Sequence, residues 1–180
     1  MRKVIAVGGV PGTGKTSLFR KFISNYTWER VEPVKLLSSM YCKELDLFIF
    51  GKYEEGEVFA GTDRLSMAVQ PNAQKFVSET TSNVLFEGDR IFNRSFLEFV
   101  SEVDGVDLQV IYLKAPQSIL EQRYIDRGSD QSEVFLRGRE TKYNNILGNF
   151  GLMEYITEFD NTNLEEQAVV LDYINSIFRK

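Results

Sequence analysis

The chain has 180 residues, 43% of them hydrophobic, which is enough for one well-buried domain and too few for two comfortable ones. Lys and Arg number 21 against 26 Asp and Glu, a formal net charge of −5, and this balance argues against a tight non-specific grip on nucleic-acid phosphates. A lone Cys42 and the absence of histidine exclude an intramolecular disulfide and an ordinary structural zinc site, and they leave proton abstraction to Asp, Glu, Lys or Tyr.

The apolar run Val4-Ile5-Ala6-Val7 ends in Gly8-Gly9 and reads as a strand buried on both faces. It is too short for a secretory or membrane-spanning segment, so the expected compartment is the cytoplasm, with no membrane partner. Leu18, Phe19, Phe22 and Ile23 recur at helical spacing, and Asn25-Tyr26-Thr27 closes that helix. Strand-like pieces surround Pro33, and Leu45 to Phe50 predicts a strong strand that stops at Gly51. Residues 52 to 62 read as a loop. Asp63 is then placed to cap a helix from Arg64 to about Glu79, kinked near Pro71. Asn83 to Phe86 predicts a second central strand. The stripe Phe92, Phe96, Leu97 and Val100 predicts the next helix, and Leu108 to Leu113 another strand. Pro116 opens a further helix, and a long polar helical region with arginines follows. Tyr155 to Phe159 reads as a strand and Leu164 to Phe178 as the closing helix. Alternation of this kind predicts an α/β fold, a parallel sheet covered by helices on both faces, in a single domain spanning 1–180.

Gly9-Val10-Pro11-Gly12-Thr13-Gly14-Lys15-Thr16 fits G-x-x-x-x-G-K-[ST] at every defined position, between a predicted strand and a predicted helix. Such a P-loop turns backbone N–H groups from Gly9, Gly12, Thr13 and Gly14 toward phosphate oxygens, and the helix N-terminus, with Ser17 in its first turn, adds partial positive charge. Lys15 is expected at the β- and γ-phosphates and Thr16 on Mg²⁺, which makes ATP or GTP with Mg²⁺ the expected cofactor. At the end of the second central strand, Glu87 or Asp89 is expected to hold the metal or its waters; a solvated turn is the plainer reading. Arg123, Arg127, Arg137 and Arg139 are placed to fold over the nucleotide and stabilise the transferring group; a solvated helix face is the alternative for any one of them. Asp126, Asp130, Glu133 and Glu140 are interleaved with these arginines as pairing partners. Lys52, Tyr53, Asp63 and Arg64 fall where acceptor sites lie in such folds. Arg64 suits an acceptor phosphate. Asp63 reads either as a general base or as a helix cap, and Tyr53, Phe59 and Phe92 either as base-stacking rings or as core.

With these residues the chain resembles a P-loop kinase of the nucleoside and nucleotide kinase group. Phe86-Glu87-Gly88-Asp89-Arg90 is similar to the acidic-Gly…Arg segment of adenylate kinases and to the Asp-Arg pair of thymidylate kinases, which implies a phosphate-binding, catalytic role for Arg90. The stretch from Arg123 to Arg139 resembles the lid of these enzymes, here approximately 123–145. Glu32-Pro33-Val34 is similar to the Glu-Pro-Val of deoxyribonucleoside kinases, in which the glutamate is the base on the acceptor hydroxyl. The resemblance implies a three-layer P-loop NTPase fold with a five-stranded parallel sheet in the order 2-3-1-4-5 and an arginine-bearing lid. It also implies a nucleoside, nucleotide or hydroxylated nucleobase as acceptor. Residues 41 to 70 match no acceptor motif of the group. A hydroxymethyl-pyrimidine carried in DNA, the substrate of some phage P-loop kinases, is a further acceptor expectation. A regulatory GTPase would need Asn-Lys-x-Asp after the penultimate strand, where the chain has Leu113-Lys114-Ala115-Pro116. A P-loop ATPase without a small acceptor is the third reading.

Overall fold

A computed structural model describes residues 1–57, 59–129 and 131–179, so Asp130 lies outside the described residues. Among these, seven strands make one sheet: β1 (Arg2–Gly8), β2 (Glu29–Val31), β3 (Ser39–Cys42), β4 (Leu47–Phe50), β5 (Asn83–Glu87), β6 (Val106–Lys114) and β7 (Ile156–Asp160). Their order is β2-β3-β4-β5-β1-β6-β7. The sheet is therefore mixed and seven-stranded, a correction to the five-stranded parallel sheet expected from the sequence. Strands β4-β5-β1-β6-β7 pair parallel, while β2 and β3 extend the β4 edge antiparallel. The two added strands are short. β2 is largely exposed and β3 carries only two buried residues, so backbone pairing of β3 to β4 and of β2 to β3 holds them and no long apolar run announces them.

Burial on both sides of the parallel strands follows from their alternating side chains. Ile5, Val7, Leu85 and Ile111 face Phe19 and Phe22 of α1 (Lys15–Ile23) and share their cluster with Ile174 of α6 (Leu164–Phe178). Val4, Ala6, Phe86 and Val110 face the other way, toward α2 (Gln70–Glu79), α3 (Arg94–Ser101) and α5 (Glu133–Leu147), which contribute Val77, Phe96 and Tyr143. α4 (Gln117–Asp126) precedes α5.

Three further expectations need correction. Asp63 caps no α-helix: residues Thr62–Arg64 make one 3₁₀ turn, Leu65 is extended, and α2 begins only at Gln70 with Pro71 in its first turn. Proline fits there because its missing N–H would have had no helical partner. Leu45 and Asp46 form a turn, Asp46 at φ +45°, so β4 starts at Leu47. The long polar region splits into α4 and α5 around Gly128, at φ +60°. Phe92 is 1% exposed and belongs to the core, while Phe59 is 64% exposed. Among the described residues no helix is long and apolar enough to cross a membrane.

Candidate active site

Register brings the chemistry together. Val7 pairs with Glu87 across β1 and β5, so the end of β5 opens beside the start of the P-loop. Glu87 is 2% exposed; its Oε1 accepts hydrogen bonds from the Thr16 hydroxyl at 3.3 Å and the Tyr53 hydroxyl at 3.0 Å. Burial pushes the Glu87 carboxyl up to about 7, against the pull of Lys15 and the two hydroxyls. Lys15 is itself lowered by burial, opposed by Asp89, Glu87 and Asp63. Its Nζ donates to the carbonyl of Gly9 at 2.6 Å.

Asp63 arrives by a different route. Lys52 and Gly61 exchange backbone hydrogen bonds at 3.2 and 2.8 Å, which folds the loop after β4 back onto the strand ends. The hydroxyl of the buried Thr62 then donates to the carbonyl of Glu87 at 2.9 Å, and Asp63 Oδ1 accepts from the N–H of Arg90 at 3.2 Å. The Arg90 guanidinium donates to the Asp63 carbonyl at 3.1 Å. Burial and the charge of Asp89 raise the Asp63 carboxyl above its ordinary range, in part offset by Lys15.

Asp89 is held by α5: Tyr143 donates to Oδ1 at 2.5 Å, and Lys142 and Arg139 approach at 3.4 and 3.5 Å. Burial raises this carboxyl, but Lys15, Lys142, the Tyr143 hydroxyl and Arg139 outweigh it and leave it low. One strand end thus carries two acids driven apart, Glu87 up and Asp89 down.

The remaining expected residues are dispersed. Gly9, Gly12, Thr13 and Gly14 form the loop, and Ser17 is exposed in the first turn of α1. Arg123 donates to the carbonyls of Gly12, Asn161 and Thr162 at 2.7, 2.9 and 3.0 Å. Arg127 is exposed, yet close enough that its charge lowers Lys15. Arg137 is 75% exposed and pairs with Glu133 on its own helix. Arg64 lies against Glu54 and Glu57 at 3.7 and 3.4 Å. The Tyr53 ring stacks on Phe19, 5.8 Å between centroids, with its hydroxyl on Glu87. Glu32 is exposed and accepts from the N–H of Leu36; with Lys52, Tyr53 and Glu54 it lines a cavity of about 350 Å³ against β3.

Sequence reasoning missed Lys142, Tyr143, Tyr124 and Asn161. The i, i+3, i+4 spacing of Arg139, Lys142 and Tyr143 was the available signal for the first two. The others had none.

No protein-family model matches the chain. It is 27% identical over 178 residues to a cytidylate kinase from Methanopyrus kandleri, which covers 94% of this chain and 83% of that protein. The chain is a phosphotransferase of the P-loop kinase type. Among solved structures, a gluconokinase from Sinorhizobium meliloti covers all of this kinase and 99% of its own chain at 17% identity and a TM-score of 0.49. A sugar kinase from a Janibacter species covers 97% of this kinase and 95% of its own chain at 13% identity and a TM-score of 0.49. Nucleotide binding by this kinase goes with its P-loop.

Proposed function

We propose that this kinase transfers the γ-phosphoryl group of ATP or GTP, bound with Mg²⁺, to a hydroxyl of a nucleoside, nucleotide or hydroxylated nucleobase. The observation that carries the reading is Asp63. It is a partly desolvated carboxylate, raised by burial above its ordinary range, within the field of Lys15 and beside Arg90 on the loop that closes over the strand ends. A hydroxyl must lose its proton as it attacks, and Asp63 is the acid in the right place to take it. Glu32, the other acid weighed for this role, is exposed and tied to Leu36 N, which suits recognition in the cavity beside β3 rather than proton transfer.

The donor set fits magnesium. Among the described residues no group of three or more His, Cys, Asp and Glu could hold a metal alone. One hydroxyl and one carboxylate beside a P-loop is the arrangement by which Mg²⁺ is held with phosphate oxygens and water, so Thr16 and Glu87 would bind it. Magnesium when bound neutralises charge on the β- and γ-phosphates. Lys15, released from the Gly9 carbonyl, supplies a point charge to the same oxygens. Arg90 and Asp89 shape the acceptor side. Residues approximately 123–145 form the lid of a single kinase domain, Arg127 and Arg139 being its arginines nearest the reacting groups.

A nucleotide whose own phosphate is the acceptor is the second reading, favoured by the cytidylate kinase relative; there Arg64 and Arg90 would position the phosphate. Nothing in the comparisons supports a DNA-borne acceptor. Nucleosides, hydroxylated bases and nucleoside monophosphates assayed for γ-phosphate transfer, each with wild type and Asp63→Asn, decide between the readings. A phosphate acceptor turned over at a normal rate by Asp63→Asn would overturn the first.

A further inference from the structure

Every backbone carbonyl from Gly9 to Gly14 accepts a hydrogen bond. Lys15 Nζ takes Gly9, and the Thr13 hydroxyl takes Val10 at 2.9 Å. The Leu18 N–H takes Gly14 at 3.0 Å. The three carbonyls between them are held from outside the loop by side chains: the Tyr124 hydroxyl on Pro11 at 2.6 Å, Arg123 on Gly12 at 2.7 Å, and Asn161 Nδ2 on Thr13 at 2.7 Å. Two of the clamps stand on α4 and the third just past β7.

A planar trans peptide points its C=O and its N–H in opposite directions. A carbonyl fixed on the outside of a turn therefore fixes the next residue's N–H on the inside. Tyr124, through Pro11, aims the N–H of Gly12, and Asn161, through Thr13, aims the N–H of Gly14. Arg123 holds the Gly12 carbonyl, whose following N–H, on Thr13, closes a 3.3 Å turn onto Val10. The clamps stand so close that only glycine fits beneath them. A Cβ on Gly12 would lie 2.8 Å from the Tyr124 ring, and one on Gly14 would lie 2.6 Å from Asn161 Nδ2.

We propose that Tyr124 and Asn161 are positioning residues that pre-orient the phosphate-binding N–H groups of the P-loop from behind, and that Arg123 braces the turn between them, all without touching the nucleotide. The inference rests on the nucleotide-binding reading of that loop. A cradle built in advance loses no orientational freedom when phosphate arrives, so the clamps act on phosphate affinity more than on folding. Arg123, with its second amino group on Asn161 and Thr162, also makes α4 and the loop after β7 one support for the cradle.

The test uses the full chain and two probes, magnesium tripolyphosphate and ATP with Mg²⁺, titrated by calorimetry alongside the Tm of the ligand-free protein. Tyr124→Phe keeps the ring against Gly12 and removes only the donor. It is expected to weaken both probes about three- to tenfold, as loss of one hydrogen bond does, with little change in Tm. Arg123→Met is expected to weaken them further, and Arg123→Lys, which keeps one donor for Gly12, to recover part of the loss. In turnover the KM for nucleotide should rise and the KM for acceptor stay. Wild-type affinity in both Tyr124→Phe and Arg123→Met overturns the inference, as does a loss that merely tracks a fall in Tm. Failure of the wild type to bind either probe overturns instead the nucleotide-binding reading beneath it.

Discussion

The P-loop and the loop after β4 are held in different ways. From Gly9 to Gly14 every carbonyl is engaged, and the outside supports come from α4 and from the residues after β7. The loop after β4 is closed at its ends by the Lys52–Gly61 bridge and by Thr62 on Glu87, and is tied further by the Tyr53 hydroxyl on Glu87 and by Arg20 on the Glu54 carbonyl. Between them Glu54 and Glu57 engage Arg64 in partly exposed ion pairs, the kind that contributes at most about 1 kcal/mol. A phosphate chain is the same in every nucleotide and rewards a rigid receptor. An acceptor must enter and leave, and partly exposed ion pairs of this strength can open to admit it.

The contrast can be broken by experiment. Lys15→Ala is expected to abolish phosphoryl transfer while leaving the fold, because the Lys15 ammonium donates to the loop carbonyls of Gly9 and Val10; activity within a few-fold of wild type would remove the P-loop from the chemistry. Asp63→Asn is expected to lower the maximal rate on the order of 10²–10⁴-fold, the usual cost of a lost general base, and Glu32→Gln to leave it within a factor of a few. Equal losses in the two variants would put both acids in the reaction and erase the distinction between them.

Stability sharpens the same comparison. Glu87 has a folded value of about 7 against an ordinary 4.5, so the unfolded chain releases this proton first. A raised carboxyl binds more protons folded than unfolded, and stability therefore falls as pH rises from about 4.5 to about 7. Glu87→Gln in the ligand-free protein is expected to raise Tm relative to wild type at pH 8 and much less at pH 5. A pH-independent difference would mean that Glu87 is not so perturbed. Tyr143→Phe removes the donor to Asp89 and is expected to cost about 1.5–3 kcal/mol by denaturant titration, the range for a hydrogen bond to a charged group. A change under about 0.5 kcal/mol, the size of an ordinary surface substitution's effect, would show that α5 does not hold Asp89.

By itself the sequence determined the parallel strands, the P-loop and the acids at the end of β5, because each is written in contiguous residues: a buried apolar run, glycines at fixed spacing, a polar cluster after a strand. The closing helix Leu164–Phe178 was legible to the residue, since an N-cap asparagine and a periodic apolar stripe mark it. Tertiary structure alone decided the rest. Strands β2 and β3 exist by backbone pairing, β3 to β4 and β2 to β3, and carry little pattern of their own. Asp63 looked like a cap because an acid before a helical run is the local signal. Its place beside Arg90 depends on a loop closed by backbone bonds between residues 52 and 61. Arg123 looked like a ligand of phosphate because charge is visible in sequence, but the direction of a guanidinium is not. That direction is fixed by three carbonyls, one 111 residues away in the chain, and only folding brings them within reach.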